Sequence, residues 1–217
     1  DTMSINHHLS EGLILAYAAG SLPEAYSLIA AAHISMCDDC RAAATAYEAL
    51  GGAVIDDGDS AALCQDSLAK TFARISAPAL GLPVVVTPKA PSVLPAPLQD
   101  YLGARLEDVK WRNVGMGVRQ CVLKTKGSQT ARLLHIPAGT AVPDHGHGGL
   151  ELTLVLKGAF SDKTGRFGVG DVEVADQSVE HTPVADPDMD CICLAVTDAP
   201  LRFKSFLQRA LQPFFGI

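Results

Sequence analysis

With 217 residues, the chain is long enough for two small domains, and its 17 Lys and Arg against 24 Asp and Glu give a formal net charge of −7. This acidic balance provides no basic surface for gripping phosphates, so direct binding to nucleic acid is not expected. Six cysteines would suggest a disulfide framework only in a small secreted chain, and their spacing here favours metal binding instead.

Residues 1–76 predict a small all-α domain, because Ala and Leu recur there at helical spacing. A first helix is expected to start after Ser10 and end at Gly20, and a third to cover Asp38 to Leu50. Seven apolar positions are more than so small a domain readily buries, so either all are core or some face a partner. They are Leu13, Ile14, Tyr17, Leu22, Tyr26, Leu28 and Ile29.

The apolar stretch between Gly12 and Cys37 contains one charged residue, Glu24, and raises the question of a membrane span. The Gly-Ser-Leu-Pro-Glu sequence at 20–24 breaks it into two pieces that are each too short to cross hydrocarbon. No positively charged leader precedes it. We therefore expect a cytoplasmic protein without a membrane segment.

A metal half-site follows from His33-x3-Cys37-x2-Cys40, whose members share one face of a helix or of a short helix break. A fourth ligand would come from His7 or His8, just before the first helix. Two thiolates and two imidazoles form a closed tetrahedral zinc shell, which is usual for a structural site. Cys37 would also lie at the N-terminus of the third helix, where the helix dipole favours negative charge.

Two other interpretations compete for these residues. His33 lies among apolar residues and could be a core histidine that bonds a backbone group. The Cys-x-x-Cys could be a redox pair of the thioredoxin type. No strand precedes the cysteines, and the acidic Asp38 and Asp39 disfavour a thiolate without a metal, so the redox interpretation is weaker.

The middle of the chain, residues 77–98, is rich in proline and predicts an extended, semi-rigid linker. Residues 99–217 follow with short alternating runs of Val, Thr and Gly, which predict a β domain. The tail from Leu201 to Ile217 has apolar residues at spacings of three and four, which predicts an amphipathic helix. The fold class is therefore multidomain α + β.

The β region contains the pattern Gly139-x5-His145-x-His147-x3-Glu151-x6-Gly158. Side chains alternate between the faces of a strand, so both histidines point the same way and the glutamate keeps their parity. The glycines bracket the unit where strands must turn. Imidazoles and a carboxylate that converge in this way suit Zn, Fe, Mn or Ni.

This pattern resembles the first cupin motif, and Gly170-Asp171 followed by His181 resembles the second, although its usual terminal Asn is absent. The resemblance implies a cupin β-barrel of the jelly-roll type. His181 would then join the metal site as a third imidazole.

The N-terminal pattern resembles the zinc-binding anti-sigma family over residues about 5 to 75. His33, Cys37 and Cys40 match position by position. The family's upstream histidine corresponds to His7 or His8, and of the two we choose His8. The resemblance implies that the first three helices, and a fourth at about Ser60 to Ile75, wrap a sigma factor of the extracytoplasmic-function (ECF) group. Such a heterodimer would keep the sigma factor from RNA polymerase.

Both halves together resemble the ChrR-like anti-sigma factors, which are not enzymes and respond to singlet oxygen and related oxidants. The implied cupin ligands are His145, His147, Glu151 and His181, and the implied metal is zinc in both domains. The alternative is a cupin metalloenzyme, a dioxygenase or isomerase, with a helical oligomerisation domain. Four ligands fill a tetrahedral zinc shell, whereas octahedral iron or manganese would keep two positions open, so the metal separates the two.

Two further cysteines, Cys191 and Cys193, would share one face of a late strand. They could be redox-active near the site. Since free cysteines are often buried, we favour the interpretation that they act as small hydrophobic core residues.

Overall fold

The computed structural model describes residues 4–77, 92–103, 105–142, 145–146, 148–178, 180–199 and 202–203. Within these ranges the N-terminal part is helical, and a 3₁₀ turn at Leu106–Asp108 leads into the β region. None of the described helices has the length and apolar character that crossing a membrane requires. The helices are α1 (Glu11–Ala18), α2 (Glu24–Met36), α3 (Asp38–Asp56), α4 (Ser67–Ser76) and α5 (Ala96–Leu102).

The helix ends follow from local chemistry. Ser10 caps α1, because its side chain accepts a hydrogen bond from the Leu13 amide, and Cys37 caps α3 with its sulfur. The third helix runs to Asp56, past the predicted end at Leu50, since the two glycines that follow Leu50 cost only about 1 kcal/mol each and do not stop a helix. The fourth starts at Ser67 rather than near residue 60.

The strands form one six-stranded sheet in the order β1-β2-β3-β11-β5-β8, together with two three-stranded sheets, β10-β6-β7 and β12-β4-β9. This arrangement, with helices before it, confirms the predicted fold class of a helical region followed by a cupin-like β domain. The strands are β1 (Arg112–Gly115), β2 (Val118–Leu123), β3 (Thr130–Ile136), β4 (His145–Gly146), β5 (Glu151–Lys157), β6 (Phe160–Ser161), β7 (Arg166–Phe167), β8 (Val172–Ala175), β9 (Glu180–His181), β10 (Val184–Ala185), β11 (Cys191–Thr197) and β12 (Arg202–Phe203).

The predicted C-terminal helix is wrong where it can be checked. Its first turn would include Arg202 and Phe203, and these residues form β12, which pairs with β4. The pairing gives their backbone groups partners in a sheet, which the spacing of the apolar residues does not reveal. The rest of the predicted helix, residues 204–217, lies outside the described residues.

The six-stranded sheet is covered on both faces. One face turns inward, where residues such as Val155 and Cys193 share a core with Phe160 of the three-stranded sheet β10-β6-β7. The other face, with alternate residues such as Leu154 and Leu194, packs against the helices. Strands β5 and β11 are therefore buried almost throughout, and the alternation of polar and apolar residues expected of a half-exposed strand is absent there.

The apolar surplus of the first helices is buried inside the chain. Ile14, Tyr26, Leu28 and Ile29 are buried, and the remaining positions pack at the edge of the core that the helices share with the large sheet. Four of the seven positions are therefore core residues, and Leu13, Tyr17 and Leu22 stay half-buried at its edge.

Candidate metal centres

The helical region brings four candidate ligands together. The Nδ1 atom of His8 lies 3.3 Å from the Cys37 sulfur and 3.6 Å from the Cys40 sulfur. The Nε2 atom of His33 lies 3.2 Å from the Cys40 sulfur. One donor atom of each residue falls within 4.8 Å of all the others. His7, the other candidate, points elsewhere, towards Asp171 and Phe167.

These distances fit a tetrahedral zinc ion. With Zn–S bonds of about 2.3 Å and Zn–N bonds of about 2.0 Å, a sulfur and a nitrogen on one tetrahedron lie about 3.5 Å apart. His33 is also held in the correct tautomer, because its Nδ1 donates to the Gly170 carbonyl oxygen over 2.8 Å and leaves the Nε2 lone pair for a metal. The two interpretations of His33 are thus compatible, since it bonds a backbone group with one nitrogen and faces the thiols with the other.

Burial shapes the chemistry of this cluster. His33, Cys37 and Cys40 are all almost inaccessible to solvent, whereas His8 is exposed. Burial, with a contribution from the neighbouring Cys37, raises the pKa of the Cys40 thiol to about 11. Burial also lowers the pKa of His33. A cation must therefore displace a thiol proton, but it finds His33 already neutral, which is the form that binds metals.

The redox interpretation of Cys37 and Cys40 lacks its structural setting. The residues that precede the pair form a helix, α2, and not a strand. Two imidazoles accompany the two sulfurs, which is the donor set of a metal site.

The second predicted cluster is described only in part. His145 pairs with His181 across β4 and β9, so the backbone brings these two histidines side by side. His181 and Glu151 are buried. The side chain of His145 and all of His147 lie outside the described residues.

Two carboxylates that the sequence reasoning missed surround His181. Its Nδ1 atom lies 2.8 Å from Asp162 Oδ2 and 2.9 Å from Glu173 Oε1, and all three side chains are almost fully buried. A histidine that donates from Nδ1 to a carboxylate carries its lone pair on Nε2, which is the usual setting of a metal-bound histidine. One signal was available, because Glu173 is a charged residue inside the apolar strand β8.

The interior of the β domain contains several acidic side chains around His181. Burial raises the pKa of Glu173, and the nearby Asp162 and Glu151 add to the shift. Burial works to lower the pKa of His181, but its bonds to the two carboxylates outweigh this and raise it. So many acidic groups in one buried place need a compensating positive charge, and Arg132, which is also buried, lies within the field of Glu151.

Cys191 and Cys193 point into the interior of the β domain, where they belong to the same cluster as Val155 and Phe160, and are 0% and 1% exposed. Both cysteines are free. A hydrogen bond with the Cys191 thiol, together with burial, raises the pKa of the Cys193 thiol well above its usual value. A protonated, inaccessible thiol is a poor nucleophile, so the structure favours the core interpretation of both residues.

A third feature is an exposed apolar surface on α4 and the segment before it. Leu68, Phe72 and Ile75 recur at helical spacing on α4 and are 70%, 58% and 73% exposed. The end of α3 adds Val54 and Ile55. A helix with an apolar face and no buried residue is not stabilised by its own domain, which indicates an interaction surface.

Comparison with known proteins places these features in a family. A profile described as the ChrR Cupin-like domain matches residues 100–200. Anti-sigma-E factor ChrR of Cereibacter sphaeroides is 57% identical over 221 aligned residues, which cover 99% of this chain and all of that protein. The chain belongs to the ChrR family of anti-sigma factors.

A solved structure agrees with this membership of the ChrR family. The crystal structure of Rhodobacter sphaeroides SigE in complex with the anti-sigma ChrR matches with a TM-score of 0.80 and 55% identity. The match covers 90% of this chain and 100% of that one. The relative and the solved structure are both named as anti-sigma factors, so the alternative of a cupin metalloenzyme is not retained.

Proposed function

We propose that the chain binds and inhibits an ECF sigma factor as a heterodimer in the cytoplasm. An oxidative signal such as singlet oxygen, sensed in the cupin domain, would release the sigma factor. The observation that carries the proposal is the whole-length likeness to a ChrR that was crystallised in complex with SigE. The net charge of −7 supports regulation through a protein partner and not through direct contact with nucleic acid.

The apolar face of α4 is the surface that best suits the sigma factor. Its three large side chains, Leu68, Phe72 and Ile75, lie more than half exposed on the isolated chain. Burying them against a partner would contribute favourable free energy that the chain alone does not use.

We further propose zinc at two sites. In the helical region the ligands are His8, His33, Cys37 and Cys40, and the support is the tetrahedral spacing of their donor atoms. In the cupin domain they are His145, His147, Glu151 and His181, and the support is the pairing of His145 with His181 and the orientation of the His181 ring by its two carboxylate partners.

The proposed release starts from the chemistry of the cupin ligands. A bound zinc ion would neutralise the acidic interior and hold the strands that carry its ligands. Oxidation of an imidazole ligand lowers metal affinity and removes folding free energy from the domain. A change of about 2.8 kcal/mol is a hundredfold in affinity, which is enough to move a sigma factor from mostly bound to mostly free.

The first experiment measures inhibition and release. The purified chain is mixed in turn with each ECF sigma factor of its own organism, and transcription in vitro is followed before and after exposure to singlet oxygen. We expect inhibition that the oxidant relieves. His145→Ala and His181→Ala variants should respond weakly to the oxidant. If the chain fails to inhibit, the anti-sigma proposal is wrong; if both variants respond like the wild type, only the sensing proposal is wrong.

The helical zinc site is tested by thiol reactivity. In the zinc-loaded protein a thiol reagent should modify the exposed Cys64 at once and leave Cys37 and Cys40 unmodified. After chelation these two cysteines should react, because they lose the metal that holds them. Cys191 and Cys193 should stay unmodified in both states while the protein is folded. Elemental analysis that finds no zinc in the purified protein would contradict the proposal.

A further inference from the structure

We propose that Asp171 of the cupin domain is a positioning residue for the zinc site of the helical domain. This inference rests on the zinc site proposed above for His8, His33, Cys37 and Cys40. Asp171 closes a turn, residues 168–171, that connects β7 with β8. The turn contacts His33 directly, and it contacts His8 through the segment that precedes it. Both contacts join residues more than a hundred positions apart in sequence.

The first set of contacts fixes the segment before His8. Asp171 Oδ1 accepts hydrogen bonds from the backbone amides of Asn6 over 2.7 Å and of His7 over 2.9 Å. The Val172 amide donates to the His7 carbonyl oxygen over 3.1 Å, so the segment is joined to the start of β8. Hydrogen bonds to an ionised carboxylate are among the stronger ones in proteins. The residue immediately after these bonds is the ligand His8.

The second set fixes His33. Its Nδ1 donates to the carbonyl oxygen of Gly170, which is the residue before Asp171. The turn keeps its own shape through Asp171 as well, because Oδ2 accepts from the Gly168 amide over 2.8 Å. A single carboxylate thus organises the turn that orients one ligand ring and also holds the chain beside another ligand.

Gly170 makes this close approach possible. Its backbone has φ +90°, and an added Cβ would lie 2.6 Å from Ile5 Cδ1. The Gly-Asp pair that resembles part of a cupin motif therefore has a second task here, which is to receive the N-terminal segment. The partners that orient these metal ligands thus belong to the other domain.

The consequence is a thermodynamic link between the two domains. If contact with the turn raises metal affinity by some factor, metal binding must favour that contact by the same factor. The turn continues into Glu173, which bonds His181 over 2.9 Å. A change around His181 therefore has a short covalent path to the groups that hold His8 and His33.

The test compares metal affinity in full-length variants. Apo protein is titrated with Co²⁺, whose thiolate charge-transfer absorption reports only a site with cysteine ligands, and zinc is then added in competition. The double variant Cys37→Ser/Cys40→Ser, which has no thiolate ligand left at the site, gives the blank for this absorption. For Asp171→Ala we expect zinc affinity to fall about tenfold, the lower end of the range for partners of metal ligands. Asp171→Asn keeps one acceptor oxygen, so its zinc affinity should lie between those of the wild type and Asp171→Ala.

Asp186→Ala is the matched control, since this carboxylate lies on the same domain and pairs only with Arg166 among the partners that the described part of the chain provides. It should bind zinc like the wild type. Hydrogen exchange at the Asn6 and His7 amides gives a second measurement, and exchange should be faster after zinc is removed. Equal zinc affinity in the wild type and both Asp171 variants would overturn the inference. An absent thiolate–cobalt band in the wild type would instead refute the zinc site itself.

Discussion

The α4 surface allows a quantitative prediction for sigma-factor binding. Phe72 is 58% exposed, so of the about 200 Å² that a Phe side chain can bury, about 115 Å² is available to a partner. At about 25 cal/mol per Å² this area corresponds to about 3 kcal/mol if it is fully covered. Part of the area belongs to atoms that alanine retains, so we expect Phe72→Ala to weaken binding by about 2 kcal/mol, or about 30-fold.

The assay is a titration of the sigma factor by calorimetry or fluorescence anisotropy, with Thr71→Ala on the same helix as control. Thr71 is exposed and bonds only locally, to the Ser67 carbonyl oxygen. The control should bind like the wild type. Because Phe72 is not part of the core, neither variant should change the unfolding temperature. If Phe72→Ala and the control bind equally well, α4 does not contact the sigma factor through this face, and the argument from exposed apolar area is refuted.

Two more predictions concern the contact between the domains. Tyr26→Phe removes a hydrogen bond of 2.7 Å to the Leu150 carbonyl oxygen and should lower the free energy of unfolding by about 1 kcal/mol, whereas Tyr47→Phe should leave it unchanged in the same urea titrations. Equal stabilities would show that the bond contributes nothing. Gly139→Ala should cost about 1–2 kcal/mol for its left-handed backbone. Gly170→Ala should cost more, because its Cβ would also displace the N-terminal segment, and a smaller cost would contradict the close approach.

The sequence predicted those features that depend on spacing along one element. His33 lies in the last turn of α2, Cys37 caps α3 and Cys40 lies in the first turn of α3, so their convergence follows from the spacing across a short helix break. The parity of the cupin pattern likewise places Glu151 on the inward face of β5. Neither the spacing nor the family resemblance separates His8 from His7, because the backbone before α1 is irregular, and only the folded chain brings His8 to the two cysteines.

The features that sequence reasoning missed come from contacts between distant elements. Asp162 lies in a turn and Glu173 in a strand, and only the folded sheet brings both to His181. The sequences of β5 and β11 are those of ordinary buried strands, and they do not indicate that α2 is the helix that packs on the outward face of both.

The position of α2 gives a physical reason to expect communication between the two proposed metal sites. Tyr26 bonds the carbonyl oxygen of Leu150, the residue before Glu151. His33 bonds the carbonyl oxygen of Gly170, in the turn before the strand that carries Glu173. Tyr26 and His33 are seven residues apart, so they lie on one face of the helix, about 10 Å from each other.

Strands β5 and β8 are neighbours in the sheet and both carry acidic residues of the charged interior. Loss of a cation from that interior would leave buried carboxylates uncompensated, so they would take up protons, admit water or move apart. Entry of water or separation of the strands would move both carbonyl oxygens that α2 contacts. A packed helix has few alternative positions, so such a change would shift it between discrete arrangements and would not be absorbed by gradual bending. The helix that receives the signal would thus be α2, which carries the proposed zinc ligand His33.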